Sequence, residues 1–165
     1  MALHPSLPRN RTEALDWYVE LQAAAAANGA GDLRAVRAWL GRNDLYFLLI
    51  DLLGRRDMLE TKHRVPDGPD WLFARCREVQ ADPDGHLDLW AREHFKSSII
   101  TFGLTIQEIL NNPEITIGIF ADINKTAKPF LAQVMRRSVR RRLIEGIRCA
   151  QPNATNSARP RPPST

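Results

Sequence analysis

The stretch from His86 to Phe120, HLDLWAREHFKSSIITFGLTIQEILNNPEITIGIF, sets the tightest limits on what this chain can fold into. Leu87 and Leu89 alternate with Asp88, as in a short strand. From Ser97 to Leu110 the residues Ile99, Ile100, Phe102, Leu104, Ile106, Ile109 and Leu110 supply a broad apolar helical face. Asn111-Asn112-Pro113 stops that helix. Ile115 to Phe120 is a continuous apolar run rich in β-branched residues, as expected of a buried parallel strand. A second helix follows from Lys125 to Met135, with Asn124 as its cap and Ala127, Phe130, Leu131 and Val134 on one face. Strand, helix, strand and helix at these lengths predict an α/β fold with right-handed crossovers.

The residues before this unit read as an all-α prelude. Asn10, with Glu13 three residues on, makes a capping box for a helix from Thr12 to Ala27. Asn28-Gly29 ends it. Asp32 is expected to cap Leu33 to Leu40, and Gly41 to break it. Asp44 to Leu53 contains LYFLLIDLL, which must be buried, and Gly54 ends it. Arg55 to Pro69 is polar and carries the loop signal Pro66-Asp67-Gly68-Pro69. Asp70 then caps a helix from Trp71 to Gln80. Trp17, Trp39 and Trp71 read as packing residues.

A formal net charge of +4 conceals an uneven distribution. From Val134 onward there are eight arginines against one acid, Glu145, while the preceding residues are on balance acidic. The segment QPNATNSARPRPPST cannot build a core. It reads either as a basic, disordered tail or as out-of-frame sequence after an interrupted domain. Four lysines against nineteen arginines suit a GC-rich coding sequence, where a shifted frame yields Arg, Ala and Pro. Two strands and two helices do not close an open sheet, which favours the interruption. Cys76 and Cys149 are far apart and suggest neither a disulfide framework nor a metal spacing. His4, His63 and His86 are isolated. No apolar run approaches the ~20 residues of a membrane span, and no signal-peptide core is present, so a cytosolic setting is expected.

The candidate chemistry lies between the first strand and the first helix of the α/β unit. A standard phosphate loop is Gly, four residues, then Gly-Lys-Ser/Thr. The corresponding positions are Trp90-Ala91-Arg92-Glu93-His94-Phe95-Lys96-Ser97. Lys-Ser stands where it should, at a helix start, where backbone N–H groups can hold an anion. Both glycines are replaced, by Trp90 and Phe95. On pattern alone, Lys96 is better explained as a solvated helix-start residue.

The wording of the segment adds to this. LDLWAREHFKSSIITFGLTIQEILNNPEITIGIFADINKTAKPFLAQ closely resembles the N-terminal ATPase region of the large subunit of tailed-phage DNA-packaging terminases. One subgroup of that family carries a deviant loop of the form W-x-R-E-H-x-K-S/T, which Trp90 to Ser97 fits. RNDLYFLLIDLLGRRDM and WLFARCREVQADPDGHLDLW are similar to the same subgroup, so the resemblance runs from Asn43 to Gln133. It implies an incomplete P-loop NTPase core of ASCE/RecA-like type. Residues 1–80 would be a helical N-terminal region, 81–135 the partial core and 136–165 the basic tail.

The resemblance also implies the ligands and partners of a motor that hydrolyses ATP with Mg2+ to drive double-stranded DNA into a capsid. Lys96 and Ser97 would contact phosphate and Mg2+, with Ser98 as substitute if the helix start is shifted by one. Arg92 would act in cis on the γ-phosphate, where a guanidinium stabilises charge developing in phosphoryl transfer. Ala91, Glu93, His94 and Phe95 complete the nucleotide-binding segment. The implied partners are DNA, a terminase small subunit, a portal or procapsid and further copies in a ring, with no membrane. The implied location is the host cytoplasm or a bacterium carrying a prophage.

Departures from that family matter equally. The family needs a Walker B strand ending in an acid pair, and a nuclease domain with a carboxylate cluster. No Glu follows Asp122, which reads better as a turn or cap residue than as Walker B. The chain is therefore expected to be a truncated piece, unable to hydrolyse ATP alone. Two other readings remain open. One is a small non-enzymatic protein whose basic C-terminal tail binds nucleic acid. The other is a small nucleotide-binding module using Asp122 for Mg2+.

Overall fold

A computed structural model describes residues 7–59, 68–82, 87–91, 94–120 and 124–139. Helix α1 (Arg11–Asn28) begins where the capping pattern predicts, with the Asn10 side chain accepting from the Glu13 N–H at 2.8 Å. Gly29, at φ 130°, turns the chain directly into α2 (Ala30–Asn43). Asp32 is therefore a first-turn acid and not a cap, and Gly41 is buried inside α2 without breaking it. The apolar segment forms α3 (Leu45–Phe47), which widens into a π-helical turn over Leu48–Leu52. Gly54, at φ 67°, ends it, and a 3-10 turn follows over Arg56–Leu59. Helix α4 (Gly68–Ala81) starts ahead of Asp70, which instead pairs with Arg11 at 3.4 Å. A π-helical stretch, Ser97–Leu104, continues as α5 (Thr105–Asn111), and α6 spans Asn124–Val139.

The expected α/β fold, an incomplete P-loop NTPase of ASCE/RecA-like type, is not what forms. Among the described residues there is no strand and no sheet. Leu87 and Leu89 are 83% and 81% exposed, which excludes a core strand there. Residues 115–120 carry the β-branched run but form no ladder. Their alternation is nevertheless physical: Ile115, Ile117 and Ile119 are half-buried, while Thr116, Gly118 and Phe120 are exposed. The half-buried isoleucines border a groove against Ile100 and Leu104 of the π-helical stretch and Phe130 of α6. An apolar run reports that one side is covered, and here helices do the covering.

A shared core unites the helices on both sides of the loop. Leu45, Tyr46, Phe47, Leu48 and Leu49 are fully buried, together with Leu72, Phe73 and Cys76 of α4. Ile99, Phe102, Ile106 and Leu110 belong to the same cluster. Each such side chain contributes roughly 1.5–3 kcal/mol by leaving water. The closest approach is at Gly103, where an added Cβ would lie 2.7 Å from Leu49 Cδ2. Burial raises the Cys76 thiol far above its ordinary value, so it packs as a small apolar group. No helix among the described residues is long and apolar enough to cross a membrane.

A polar knot lies inside this apolar core. Asp44 is completely buried and caps α3 by accepting from the Phe47 N–H at 3.1 Å. Its second oxygen accepts from the Tyr18 hydroxyl at 2.5 Å and from Arg77 Nη2 at 2.7 Å. Arg77 Nε and Nη1 make no hydrogen bond; the Phe73 ring lies 4.6 Å from the guanidinium carbon instead. Gln80 accepts from the Leu45 N–H at 2.9 Å and donates to the Asn43 carbonyl. Burial, then the neighbouring Asp44 carboxylate, raises the Tyr18 phenol above its ordinary value, which favours its role as a donor.

Two outcomes follow from this core. Arg77→Ala leaves the Asp44 carboxylate buried without its cation and should destabilise the fold by about 3–5 kcal/mol. Urea unfolding checks this, and a loss under about 1 kcal/mol would contradict it. Asp51 differs, because burial, only partly offset by Arg37 and Arg56, raises its carboxyl pKa. A raised carboxyl pKa means that ionisation opposes folding above the folded-state pKa and not below the unfolded-state value. Asp51→Asn should therefore raise the melting temperature at neutral pH, with the gain vanishing as pH falls through the carboxylate range. A gain that grows on acidification would refute the assignment.

Candidate functional site

Two rings of the Trp90–Ser98 segment pack on one indole. The Trp90 ring stands 5.6 Å from the Trp71 ring, edge to face, and the His94 ring 5.4 Å from the same indole. Trp71 projects from the first half of α4, with the Arg75 guanidinium carbon 5.9 Å from its centre. Trp90 thus occupies the first glycine position of a standard phosphate loop and acts there as an anchor. His94 serves as a packing group on Trp71. Ala91 is exposed.

Phe95 precedes the lysine, at the second glycine position. Its φ is 56°, and no other described non-glycine residue has a positive φ. Its ring packs at the margin of the core. A side chain held in the left-handed region costs of order 1 kcal/mol or more and persists only where the surroundings impose it. The chain therefore keeps a glycine-like backbone at this position while placing an aromatic ring in it.

The helix begins directly after this turn. The Ile99 N–H reaches the Phe95 carbonyl at 2.9 Å. Lys96 is exposed, and its ammonium donates to the Asp88 carbonyl at 3.0 Å. An exposed hydrogen bond of this kind is worth only about 0.5–1.5 kcal/mol and yields readily to a better acceptor. The two serines diverge. Ser97 lines the groove of about 630 Å3, together with Thr101, Thr105 and Glu108 along the helix. Ser98 accepts at its hydroxyl from Arg55 Nη2 at 3.3 Å.

The structure thus brings together Phe95, Lys96, Ser97 and Ser98, with Trp90 and His94 holding the approach. Arg92, Glu93 and Asp122 lie outside the described residues, as do residues 140–165 of the basic tail. Among the described residues no three His, Cys, Asp or Glu side chains gather as a metal cage. A divalent cation at Ser97 would have to arrive with phosphate oxygens, which is how Mg2+ commonly binds. The chain matches no protein-family model, no curated protein and no solved structure.

Sequence reasoning overlooked Arg55, which looked like the first residue of a polar loop. Its signal was the preceding glycine, since a helix-ending glycine fixes where the next side chain emerges. Trp71 was legible only as a packing residue, because its two partners, Trp90 and His94, lie far along the chain from it. If Trp71 anchors the loop, Trp71→Ala should speed amide exchange at residues 94–98 roughly tenfold, for the aromatic pairs it removes. Amides in α1 serve as the reference. Equal changes in both places would show only a general loss of stability.

Proposed function

We propose that this chain is part of a tailed-phage DNA-packaging terminase, and that its Trp90–Ser98 segment binds the phosphates of ATP. The observation that carries this reading is the left-handed Phe95 directly before Lys96 at a helix start. A polyphosphate loop needs this backbone turn to aim successive N–H groups at one anion. Close wording to the W-x-R-E-H-x-K-S loop of terminases supports it from the sequence. The reading rests on the loop and its helix, not on a parallel sheet.

In this proposal the Lys96 ammonium leaves the Asp88 carbonyl and binds the β- and γ-phosphates. The Ser97 hydroxyl, next in the chain, would be the residue to hold any Mg2+ that accompanies them. Arg92 stabilises negative charge on the γ-phosphate. Assembly with DNA, a small subunit and a portal belongs to the same proposal and rests on the resemblance alone.

The chemistry stops at binding. None of the 165 residues provides an Asp-Glu pair to hold Mg2+ and orient water. The purified chain should bind ATP with Mg2+ and show no steady-state turnover. Lys96→Ala should weaken that binding about tenfold or more, for one charged hydrogen-bond donor lost. Calorimetric titration checks the affinity and phosphate release checks the turnover. Equal affinities for the two chains would sink the phosphate reading, and turnover abolished by Lys96→Ala would sink the claim of binding alone.

A further inference from the structure

We infer that this chain binds a second copy of itself head to tail, the outer face of α1 on one copy resting against the outer face of α6 on the next. Neither face belongs to the Trp90–Ser98 segment, so the inference stands apart from the phosphate reading.

Helix α1 packs on α2 and α4 and buries Ala14, Tyr18 and Ala25. Its outward side carries the exposed acids Glu13, Asp16 and Glu20, with Val19 among them 67% exposed. Ala23 and Ala27 continue the same side at helical spacing. The one base in the helix, Arg11, is engaged with Tyr46 and Asp70. Helix α6 has the opposite sign. It packs on the π-helical stretch and α5, with Val134 buried and Ala127 and Phe130 half-buried. Its outward side carries exposed Lys128 and Arg136, with Leu131 and Met135 between them at 49% and 55% exposure. The sequence of α6 contains no acid. Among the described residues, Asp16, Glu20, Lys128 and Arg136 enter no side-chain hydrogen bond or ion pair.

One exposed apolar side chain is ordinary on a protein surface. Here each apolar strip is framed by charges of a single sign, and the two frames are opposite. Their lengths also agree: at 1.5 Å per residue, Glu13 to Glu20 spans about 10 Å and Lys128 to Arg136 about 12 Å. Laid side by side in either direction, the helices bring Glu13 and Glu20 opposite Lys128 and Arg136, and Val19 opposite Leu131 or Met135. The alanines of α1 let the axes approach closely. Both faces are exposed in the same chain, so neither covers the other. A two-fold contact of α1 with α1 sets acid against acid, and one of α6 with α6 sets base against base. Opposite charge therefore selects the head-to-tail contact, in which two different patches meet.

Sedimentation velocity of the full chain, over a series of protein and salt concentrations, tests this. The mass should rise with protein concentration and fall as salt screens the charges. Reversing α1 (Asp16→Lys with Glu20→Lys) or α6 (Lys128→Glu with Arg136→Glu) should each weaken association about tenfold or more, because like charges then face one another. All four changes in one chain restore opposite signs at the same net charge, and association should return. Asp32→Lys, on the exposed side of α2, should leave it unchanged. Melting temperatures show whether each variant is folded. Where a reversal prevents folding, the single exposed changes Val19→Lys and Leu131→Glu take its place, with the same loss expected. A wild-type chain that stays monomeric throughout overturns the inference. So does a reversal of either face that leaves association intact, or a folded four-fold variant that stays monomeric.

Discussion

Asp44 is a full charge in a place without water, and the arrangement of the helices follows from how that charge is met. Helix α1 contributes the Tyr18 hydroxyl, α4 contributes Arg77, and α3 contributes the Phe47 N–H. An apolar contact tolerates sliding by an ångström or more, whereas a buried carboxylate with three donors does not. The knot therefore fixes the register of three helices against one another. Gln80 extends it by meeting both the Leu45 N–H and the Asn43 carbonyl at the α2–α3 junction. Once α3 is set, the direction of Leu49 and the exit of the chain at Gly54 and Arg55 are set as well. The helix that starts at Ser97 is built against that surface.

The helices were legible in the sequence because their signals are local. Asn10 caps α1, glycines close α1 and the apolar helix, and Asn112 and Pro113 follow α5. Local signals failed where a residue had a stronger engagement elsewhere. Asp70 reads as a cap but serves Arg11, and Gly41 reads as a stop but fits a buried position in α2. The strands were misread for another reason. A β-branched run shows that one side must leave water, but pairing is a property of two segments. Residues 115–120 satisfy the first condition against helices. The Asp44 knot left one trace: an acid opening the most apolar helix of the chain has to be buried with it and answered by a cation.

Phe95 shows how a left-handed backbone angle can be kept without a glycine. Glycines make a phosphate loop by permitting unusual backbone angles. Here the angle at Phe95 is held by packing instead, and the approach is pinned by two rings on Trp71. Permission is replaced by enforcement. That enforcement comes from the core margin around Phe95 and from the rings packed on Trp71. It also depends on α4 being in place, which links the loop to the buried knot through the same helix.

Gly103 and Leu49 form a single volume shared between two helices. The space that Leu49 fills is available only because residue 103 lacks a side chain. A methyl group at 103 would have to be matched by a shorter side chain at 49, and the reverse change would leave a void. The two positions are thus expected to change together in any lineage that carries this packing, although they are distant in the chain. Their joint substitution, more than the identity of either residue, is the evolutionary trace this fold should leave.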